Sequence, residues 1–325
     1  MIHSVSSLEN KINDSIRKLP FSENPQTLYE PIRYIMSLGG KRLRPLLTLM
    51  SANLFSDNIE AAVSPAVGLE IFHNFSLLHD DLMDKADMRR GKETVHKKWN
   101  DNAAILSGDA MLIEAYKYIA NISPDLLPQA LSLFSQTAME VCQGQQYDID
   151  FETRMDVTET EYLEMIRLKT AVLIACALKM GAMVSEAPET DADLLYDFGI
   201  NIGLAFQLKD DLLDVYGDPK TFGKNIGGDI LCNKKTFLLI KAFEKSNKTQ
   251  RKELNKWIEA PEFDPATKIN AVKNIYDELK LKYISEILIE KYYLAALDHF
   301  SIIHVSDGKK KELLTLAENL MYREK

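Results

Sequence analysis

Two short acidic segments of the same pattern carry the residues best suited to chemistry. They read HDDLMD (79–84) and KDDLLD (209–214). If each segment is helical, its first and last aspartates are four residues apart and project their carboxylates from one face. Clustered negative charge is costly unless a cation neutralises it, and Mg²⁺ prefers carboxylate oxygens together with ligand phosphates. Both segments also close apolar stretches, where the helix dipole disfavours acids, so the pair predicts metal binding rather than a solvated acidic face.

Basic residues lie close in sequence to these acids. They occur in GGKRLRP (39–45), in RRGK (89–92) directly after the first acidic segment, and at Lys169, Lys224 and Lys234. The chain as a whole is acidic, with a net charge of −9, which disfavours a general nucleic-acid or anionic-membrane surface. Cations gathered beside carboxylates in an acidic protein therefore predict a small polyanion, held through metal bridges and by direct Arg or Lys contacts.

The elements that must position these side chains are helices. Glycine (14) and proline (11) are scarce, and apolar residues repeat at three- and four-residue spacing along most of the chain. The main predicted helices cover Ile32–Leu54, Val63–Leu82, Ala103–Ile122, Leu126–Ile149, Tyr162–Met183 and Leu194–Val215. Further ones cover Lys235–Phe243, Thr267–Leu281, Ile284–His299 and Lys309–Met321. No strand-like alternation persists, so we expect one large all-α domain over residues 1–325.

Cysteine usage and hydropathy indicate the compartment. The three cysteines are widely separated and form no CxxC pair, which fits a reducing environment. The first residues lack the apolar core of a signal peptide. The longest apolar stretch, Thr170–Val184, is interrupted by Lys179 and is shorter than the ~20 residues that a membrane span needs. A cytoplasmic protein without a membrane span is expected.

Taken together, the motifs resemble those of the trans-isoprenyl diphosphate (polyprenyl) synthases. The resemblance runs from about Tyr29 to at least Thr236. It rests on GGKRLRP (39–45), LLHDDLMDKADMRRGKETVH (77–96), GQQYD (144–148), KT (169–170) and FQLKDDLLDVYGDPKTFGKNIGGDI (206–230). It implies a bundle of long helices around a central cavity, with the two aspartate motifs facing across it, and a homodimer. It also implies Mg²⁺-dependent condensation of isopentenyl diphosphate with an allylic diphosphate.

The resemblance assigns roles to individual residues. Mg²⁺ ions, three per active site, would be ligated by Asp80, Asp84 and Asp214. Direct or water-mediated support would come from Asp81, Asp210 and Asp211. The allylic diphosphate would be contacted by Arg89, Lys169 and Lys224. Isopentenyl diphosphate would be held by Gly40, Lys41, Arg44, His73 and Arg90. A polar wall near the reacting carbons would consist of Gln145, Asp148, Thr170 and Gln207, with Lys234 closing the metal side.

The implied chemistry is ionisation, condensation and proton elimination. Negative charge develops on the departing diphosphate, where metal and fixed cations stabilise it, and the allylic cation must be kept from water. The released diphosphate would act as the base, which explains why the sequence offers no Ser/His/Asp triad. His79 and His96 are interpreted as structural.

Product length depends on the helix that precedes Asp80. Phe75 lies five residues before Asp80, roughly 7.5 Å along a helix axis, and Phe72 lies about one turn further. Periodicity alone fits ordinary core aromatics. The resemblance implies that Phe75 forms the floor of the tail pocket, with Phe72 below it, and Ser76 stands where animal farnesyl synthases have a second aromatic. A C20 geranylgeranyl product is therefore expected, with C15 farnesyl diphosphate as the alternative.

Two other functions remain open at this stage. A class I terpene cyclase would share the first aspartate motif but would lack the second one and a site for a second diphosphate. A non-catalytic partner subunit would have lost aspartates, and none of them is missing here.

Overall fold

The structure is a computed structural model that describes residues 3–218 and 226–322. Its regular structure is almost entirely helical. Up to residue 152 the helices are α1 Val5–Arg17, α2 Gln26–Ser37, α3 Leu43–Phe55, α4 Glu60–Met83, α5 Val95–Lys98, α6 Asp101–Ile119 and α7 Leu127–Glu152. They continue as α8 Glu159–Ile166, a π-helical turn Arg167–Ala171, α9 Val172–Val184 and α10 Glu189–Tyr216. The last are α11 Gly228–Leu231, α12 Phe237–Lys245, α13 Lys248–Glu259, α14 Pro265–Glu278, α15 Leu281–Ile302 and α16 Asp307–Met321.

The described residues divide into two compact units. The first unit comprises Met1–Ala138, Leu173–Tyr196 and Ile303–Leu314, and the second comprises Met139–Val172, Asp197–Ile302 and Thr315–Lys325, each within the described ranges. The all-α fold predicted from the sequence is confirmed. The expectation of a single domain stays a prediction.

In the first unit, α4 lies at the centre of the core. It packs mainly against α6 and α3, and its buried residues point in several directions, as Leu69, Ile71 and Phe72 show. A helix that is apolar on more than one face needs neighbours on each of them. This packing holds the carboxyl end of α4, and the first aspartate motif with it, in a fixed position.

The predicted helix Ile32–Leu54 was wrong, because the structure divides it into α2 and α3. The break contains Gly39 and Gly40, with φ of 76° and 127°, and Arg42, with φ of 45°. Glycine adopts positive φ without a Cβ penalty, so the two glycines end one helix before the next begins. The cations of the GGKRLRP segment consequently lie in a turn and in the first residues of α3.

A short hairpin follows the first aspartate motif and was not expected from the sequence. Strand β1 (Met88–Arg89) pairs antiparallel with β2 (Lys92–Glu93) across the two-residue loop of Arg90 and Gly91. Both loop residues have positive φ, 52° and 74°, as the type I′ turn of a tight hairpin requires. Two-residue strands leave no alternation for a sequence pattern to detect. The hairpin points Arg89 back towards α4.

The second unit is built around the carboxyl half of α10, which ends in the second aspartate motif. Residues Leu204, Leu208 and Leu212 are buried along this half. Helix α13 was not predicted, because it is strongly polar and buries Leu254 alone. Its start is fixed locally instead, by a capping box between Asn247 and Gln250.

Within the described ranges, none of the helices combines the length and the apolar character needed to cross a membrane.

Candidate active site

The first aspartate motif occupies the last turn of α4 in the first unit. Asp84 caps the helix and donates its backbone N–H to the carbonyl of Asp80, at 2.9 Å. The expected four-residue relation between these two aspartates is therefore present. Asp80 is partly exposed and Asp84 is exposed, whereas Asp81 is buried. Two carboxylates are accessible to a ligand, and the third points into the protein.

Asp81 is held by Arg89 from the hairpin. The guanidinium Nε donates to Asp81 Oδ2 at 2.6 Å, and a second guanidinium nitrogen lies 3.6 Å from Asp80 Oδ2. Burial raises the pKa of Asp81, and the bond from Arg89 opposes that shift. Arg89 thus balances charge within the motif. Its contact with an allylic diphosphate stays a prediction.

A basic pocket lies nearby in the same unit, around His73. Nη1 of Arg44 lies 3.1 Å from His73 Nε2. An arginine can only donate, so Nε2 accepts and the neutral ring carries its proton on Nδ1. Burial, followed by the charges of Arg44, Arg90, Arg89 and Arg42, holds the pKa of His73 well below 6.5. Burial also lowers the pKa of Arg44 to about 10, and no group in the described part of the chain pairs with its Nε. Arginine charges that act on a neutral histidine provide donors suited to an anion.

The glycine turn completes this pocket. Arg90 donates to the carbonyl of Gly39, and a Cβ at Gly40 would lie 2.7 Å from the Arg90 guanidinium. A side chain at position 40 would therefore displace the Arg90 guanidinium, and the φ of 127° there would strain it. Arg42 is turned inward to a buried ion pair with Glu70, at 2.6 Å, and fixes the turn. Lys41 is exposed and has a contact of its own.

A row of aromatic rings extends along α4 from the first motif, still in the first unit. The centroid distances are 4.8 Å from His79 to Phe75, 5.5 Å from Phe75 to Phe72, and 5.2 Å from Phe72 to Phe134 on α7. The Ser76 hydroxyl donates to the carbonyl of His73, at 2.9 Å. Phe75 is half-buried, whereas Phe72 is buried. The rings therefore follow the first motif in the order His79, Phe75 and Phe72, and the role of Phe75 as a pocket floor stays a prediction.

The second aspartate motif belongs to the second unit, and its middle carboxylate is fully engaged. Tyr162 on α8 donates its hydroxyl to Asp211 Oδ2 at 2.6 Å, and Gln207 Nε2 donates to Oδ1 at 2.8 Å. Gln207 Oε1 in turn accepts from the Thr170 hydroxyl, at 3.1 Å. Burial raises the pKa of Asp211, against the charge of Lys234 and these hydrogen bonds. Thr170 and Gln207, which the sequence placed in one polar wall, do lie together.

The remaining members of that wall lie nearby in the second unit. Lys169 donates to Asp148 Oδ2 at 2.6 Å, and Lys234 Nζ lies 3.9 Å from the same oxygen. Burial would raise the pKa of Asp148, but the two lysines bring it below its usual value. Gln145 Nε2 is buried and has no hydrogen-bond partner among the described residues. An unpaired buried donor is costly, so it fits a site in which a ligand accepts its bond.

Lys169 and Thr170 lie in the π-helical turn, whose position depends on two glycines. A Cβ at Gly144 on α7 would lie 2.3 Å from the Lys169 backbone nitrogen, and one at Gly203 on α10 would lie 2.5 Å from Ala171 Cα. π-helical turns of this kind are frequent at functional sites. The backbone of α7 and that of α10 therefore approach the turn too closely for any other residue type.

The last aspartate of the second motif contacts the segment that precedes Lys234. The Asp229 backbone N–H donates to Asp214 Oδ2 at 3.0 Å, and the Gly227 N–H donates to the Asp214 carbonyl at 2.6 Å. Burial, with the nearby carboxylates of the motif, raises the pKa of Asp229. Lys224 lies outside the described residues.

The acidic side chains by themselves do not make a complete Mg²⁺ site. In residues 3–218 and 226–322, no three acidic, histidine or cysteine side chains converge as a ready-made metal site. Mg²⁺ is commonly held by one or two carboxylates, with phosphates and water completing the octahedron. The partly exposed Asp80 and exposed Asp84 offer such oxygens in the first unit, and partly exposed Asp210 and Asp214 offer them in the second. The donor set therefore fits the metal in combination with a diphosphate.

The sequence interpretation missed four groups that form the two sites. Arg42 and Asp229 stood inside recognised motifs but were given no role. Glu70 and Tyr162 carry no sequence signal, because their partners Arg42 and Asp211 lie 28 and 49 residues away.

Comparisons with a family model and with known proteins agree on one protein family. The model of the polyprenyl synthetase family matches residues 25–279. A geranylgeranyl diphosphate synthase of Sulfolobus acidocaldarius is 34% identical over 325 residues, which cover 98% of each chain. A geranylfarnesyl diphosphate synthase of Aeropyrum pernix is 37% identical, over 91% of this chain and 93% of its own.

Solved structures agree with these relatives. The crystal structure of a geranylgeranyl pyrophosphate synthase is 46% identical, with a TM-score of 0.94, and the match covers 99% of this chain and all of the other. A polyprenyl synthase of Caulobacter crescentus, complexed with calcium and isoprenyl diphosphate, is 28% identical, with a TM-score of 0.87 over 100% of this chain and 99% of its own. On the family match and on identities sustained over nearly the whole length, the chain belongs to the polyprenyl synthetase family.

Proposed function

We propose that this prenyltransferase condenses isopentenyl diphosphate with allylic diphosphates and releases C20 geranylgeranyl diphosphate as its main product. C15 farnesyl diphosphate is the alternative. The reaction class follows from family membership. The Sulfolobus acidocaldarius relative and the crystal structure that is 46% identical are both geranylgeranyl diphosphate synthases, which supports the C20 product.

The observation that carries the proposal is the basic pocket around His73. Arg44 contacts the neutral ring of His73, and the charges of Arg90, Arg89 and Arg42 also lower the pKa of that ring. These residues belong to the unit that also holds the first aspartate motif. A terpene cyclase uses one diphosphate, so it needs no second anion site. The pocket supports isopentenyl diphosphate as the second substrate, held by Lys41, Arg44, His73 and Arg90 beside Gly40.

The chain's own cations would hold the leaving group. Arg89, Lys169 and Lys224 would donate to the allylic diphosphate and stabilise the charge that develops as its C–O bond breaks. Arg89 and Lys169 are at present bound to Asp81 and Asp148, so their charge is already in place before substrate arrives. The polar wall of Gln145, Thr170 and Gln207 would border the reacting carbons.

Divalent metal dependence is general in this family. We propose three Mg²⁺ ions, ligated by Asp80, Asp84 and Asp214 together with substrate phosphates, with Asp81, Asp210 and Asp211 in support. When bound, Mg²⁺ would neutralise the departing diphosphate as a Lewis acid. Both motifs are proposed to serve the same reaction, and family membership supports this.

A product assay tests the proposal. The purified protein is incubated with Mg²⁺, labelled isopentenyl diphosphate and each of the C5, C10 and C15 allylic primers, and the products are sized after dephosphorylation. We expect C20 as the dominant product from every accepted primer. Hydrocarbon release from an allylic diphosphate alone would indicate a cyclase, and no conversion by the purified chain would indicate a partner subunit.

We further propose a cytosolic homodimer. Leu106 and Ile113, seven residues apart on α6, are 60% and 61% exposed, and large apolar side chains exposed on one helix face favour a protein interface. Light scattering during size-exclusion chromatography tests this, and a monomer at micromolar concentration would count against it.

A further inference from the structure

Both carboxylate oxygens of Asp211, the middle aspartate of the second motif, are engaged by described neighbours. Oδ2 accepts from Tyr162 at 2.6 Å and Oδ1 accepts from Gln207 at 2.8 Å. The residue is only 5% exposed. A carboxylate held at both oxygens has a fixed plane, so it also fixes the groups that donate to it.

Tyr162 reaches this carboxylate from a separate helix. It is 1% exposed and lies in α8, whose first turn is fixed by a capping box between Thr158 and Glu161. Its ring lies 6.4 Å from that of Phe237 on α12. A buried phenol needs a hydrogen-bond partner, and a charged acceptor gives a stronger bond than a neutral one. The ring is thus held by packing while the hydroxyl holds Asp211.

The consequence of this bond extends to two residues of the polar wall. The amide N–H of Gln207 donates to Asp211, so the amide oxygen of Gln207 is turned towards Thr170. The Thr170 hydroxyl donates to that oxygen at 3.1 Å. If Asp211 rotated, Gln207 would lose the partner that sets its amide orientation, and Thr170 would lose its acceptor. The chain of bonds therefore runs from Tyr162 through Asp211 to the residues beside the reacting carbons.

We propose that Tyr162 is a positioning residue for the prenyl-transfer reaction and acts through Asp211 on Gln207 and Thr170. This inference rests on the proposed function. Tyr162 touches no substrate in this scheme. Its hydroxyl fixes the plane of Asp211, and its loss affects the bond-making step more than the binding of isopentenyl diphosphate.

The test is a double-mutant cycle of Tyr162→Phe and Asp211→Asn, with kcat and both KM values measured for each protein. Tyr162→Phe keeps the ring and removes only the hydroxyl. We expect kcat to fall about tenfold, the scale of one hydrogen bond to a charged group, with KM for isopentenyl diphosphate within about twofold of wild type. In the Asp211→Asn background the same change should have almost no further effect, because the group through which it acts is already altered.

Tyr216→Phe is the matched control. Its hydroxyl also donates to a carboxylate, that of Asp277, at 2.8 Å, outside the network described above. We expect this variant to keep wild-type kcat. Thermal melts show whether each variant is folded. The same double-mutant cycle is then measured on the free energy of unfolding. If the effects of Tyr162→Phe and Asp211→Asn on that free energy are not additive, the result supports the Tyr162–Asp211 hydrogen bond independently of turnover.

The outcomes separate the inference from the function on which it rests. Wild-type protein that makes no prenyl product would overturn the proposed function. An active wild type with Tyr162→Phe at full kcat would overturn the inference alone. A tenfold loss that persists unchanged in the Asp211→Asn background would also overturn it, because Tyr162 would then act by another route.

Discussion

Replacing Phe75 with alanine should lengthen the product by about one five-carbon unit. The growing tail is expected to run from the first aspartate motif along α4, where the ring of Phe75 comes first and that of Phe72 second. Their centroids are 5.5 Å apart, and three residues of helix advance by about 4.5 Å. Removing the first ring therefore deepens the pocket by a few ångströms before the second ring closes it.

The size of the effect is limited by the rings that remain. Phe72 is buried against Phe134, at 5.2 Å, so it is held in place and should stop the tail after one further unit. We expect the main product of Phe75→Ala to change from C20 to C25, and the Phe72→Ala/Phe75→Ala double variant to yield still longer products. A fully buried phenylalanine costs about 3–5 kcal/mol on truncation. Phe75 is half-buried, so about 2 kcal/mol of stability should be lost.

Products made from labelled isopentenyl diphosphate and a C15 primer are sized by chromatography, alongside thermal melts. Phe300→Ala is the matched control, since Phe300 is buried against Phe198 at 4.8 Å and lies outside the aromatic row of α4. It should be destabilised by more than Phe75→Ala and still make C20. Unchanged product length in both the single and the double α4 variants would refute the floor assignment. Longer products from Phe300→Ala would attribute the effect to general loosening.

Three further predictions concern residues in or beside the candidate active site. Asp80→Ala should lower turnover by about 10²–10³-fold with an unchanged melting temperature, and near-normal rates in excess Mg²⁺ would argue against a metal ligand. Gly203→Ala should lower kcat because its Cβ would lie 2.5 Å from Ala171, whereas Gly308→Ala, which meets nothing within 4 Å, should keep kcat. In the folded protein the pKa of His73 lies well below 6.5, its ordinary value. At pH values just below 6.5 the unfolded chain therefore binds a proton at His73, whereas the folded chain does not. Stability should therefore fall as pH drops from about 7 to about 5, and His73→Gln should reduce that slope in urea melts. An equal slope in both proteins would contradict this.

Local periodicity predicted most of the long helices and the geometry within each motif, but it missed the polar helix α13. Asp80 and Asp84 share one face because four residues make about one helical turn, and this relation requires no knowledge of the rest of the fold. Errors arose where backbone conformation rather than hydropathy decides the outcome. The break at Gly39 and Gly40 and the hairpin at Arg90 depend on positive φ angles, which an apolar repeat does not encode.

The partners of the charged groups depended on packing between helices. The sequence indicated Asp211, Arg44 and Lys169 as members of a site, and the resemblance added His73 and Asp148 to it. It gave no sign of the direct contacts between Arg44 and His73 or between Lys169 and Asp148, or that Tyr162 binds Asp211. Spacing along a helix identifies neighbours three or four residues apart, whereas these partners are 21 to 49 residues away.

The sequence alone therefore determined the family resemblance, the helical class and the residues that carry charge. The tertiary structure decided which carboxylates are accessible and which are held. Asp81 and Asp211 are the buried aspartates of their motifs, and each is bound by a group from another element. Asp80 and Asp84 remain partly or fully exposed at the end of α4. The physical reason is that burial and hydrogen-bond partners are set by the helices packed around a motif, whereas the motif itself fixes only the spacing of its acids.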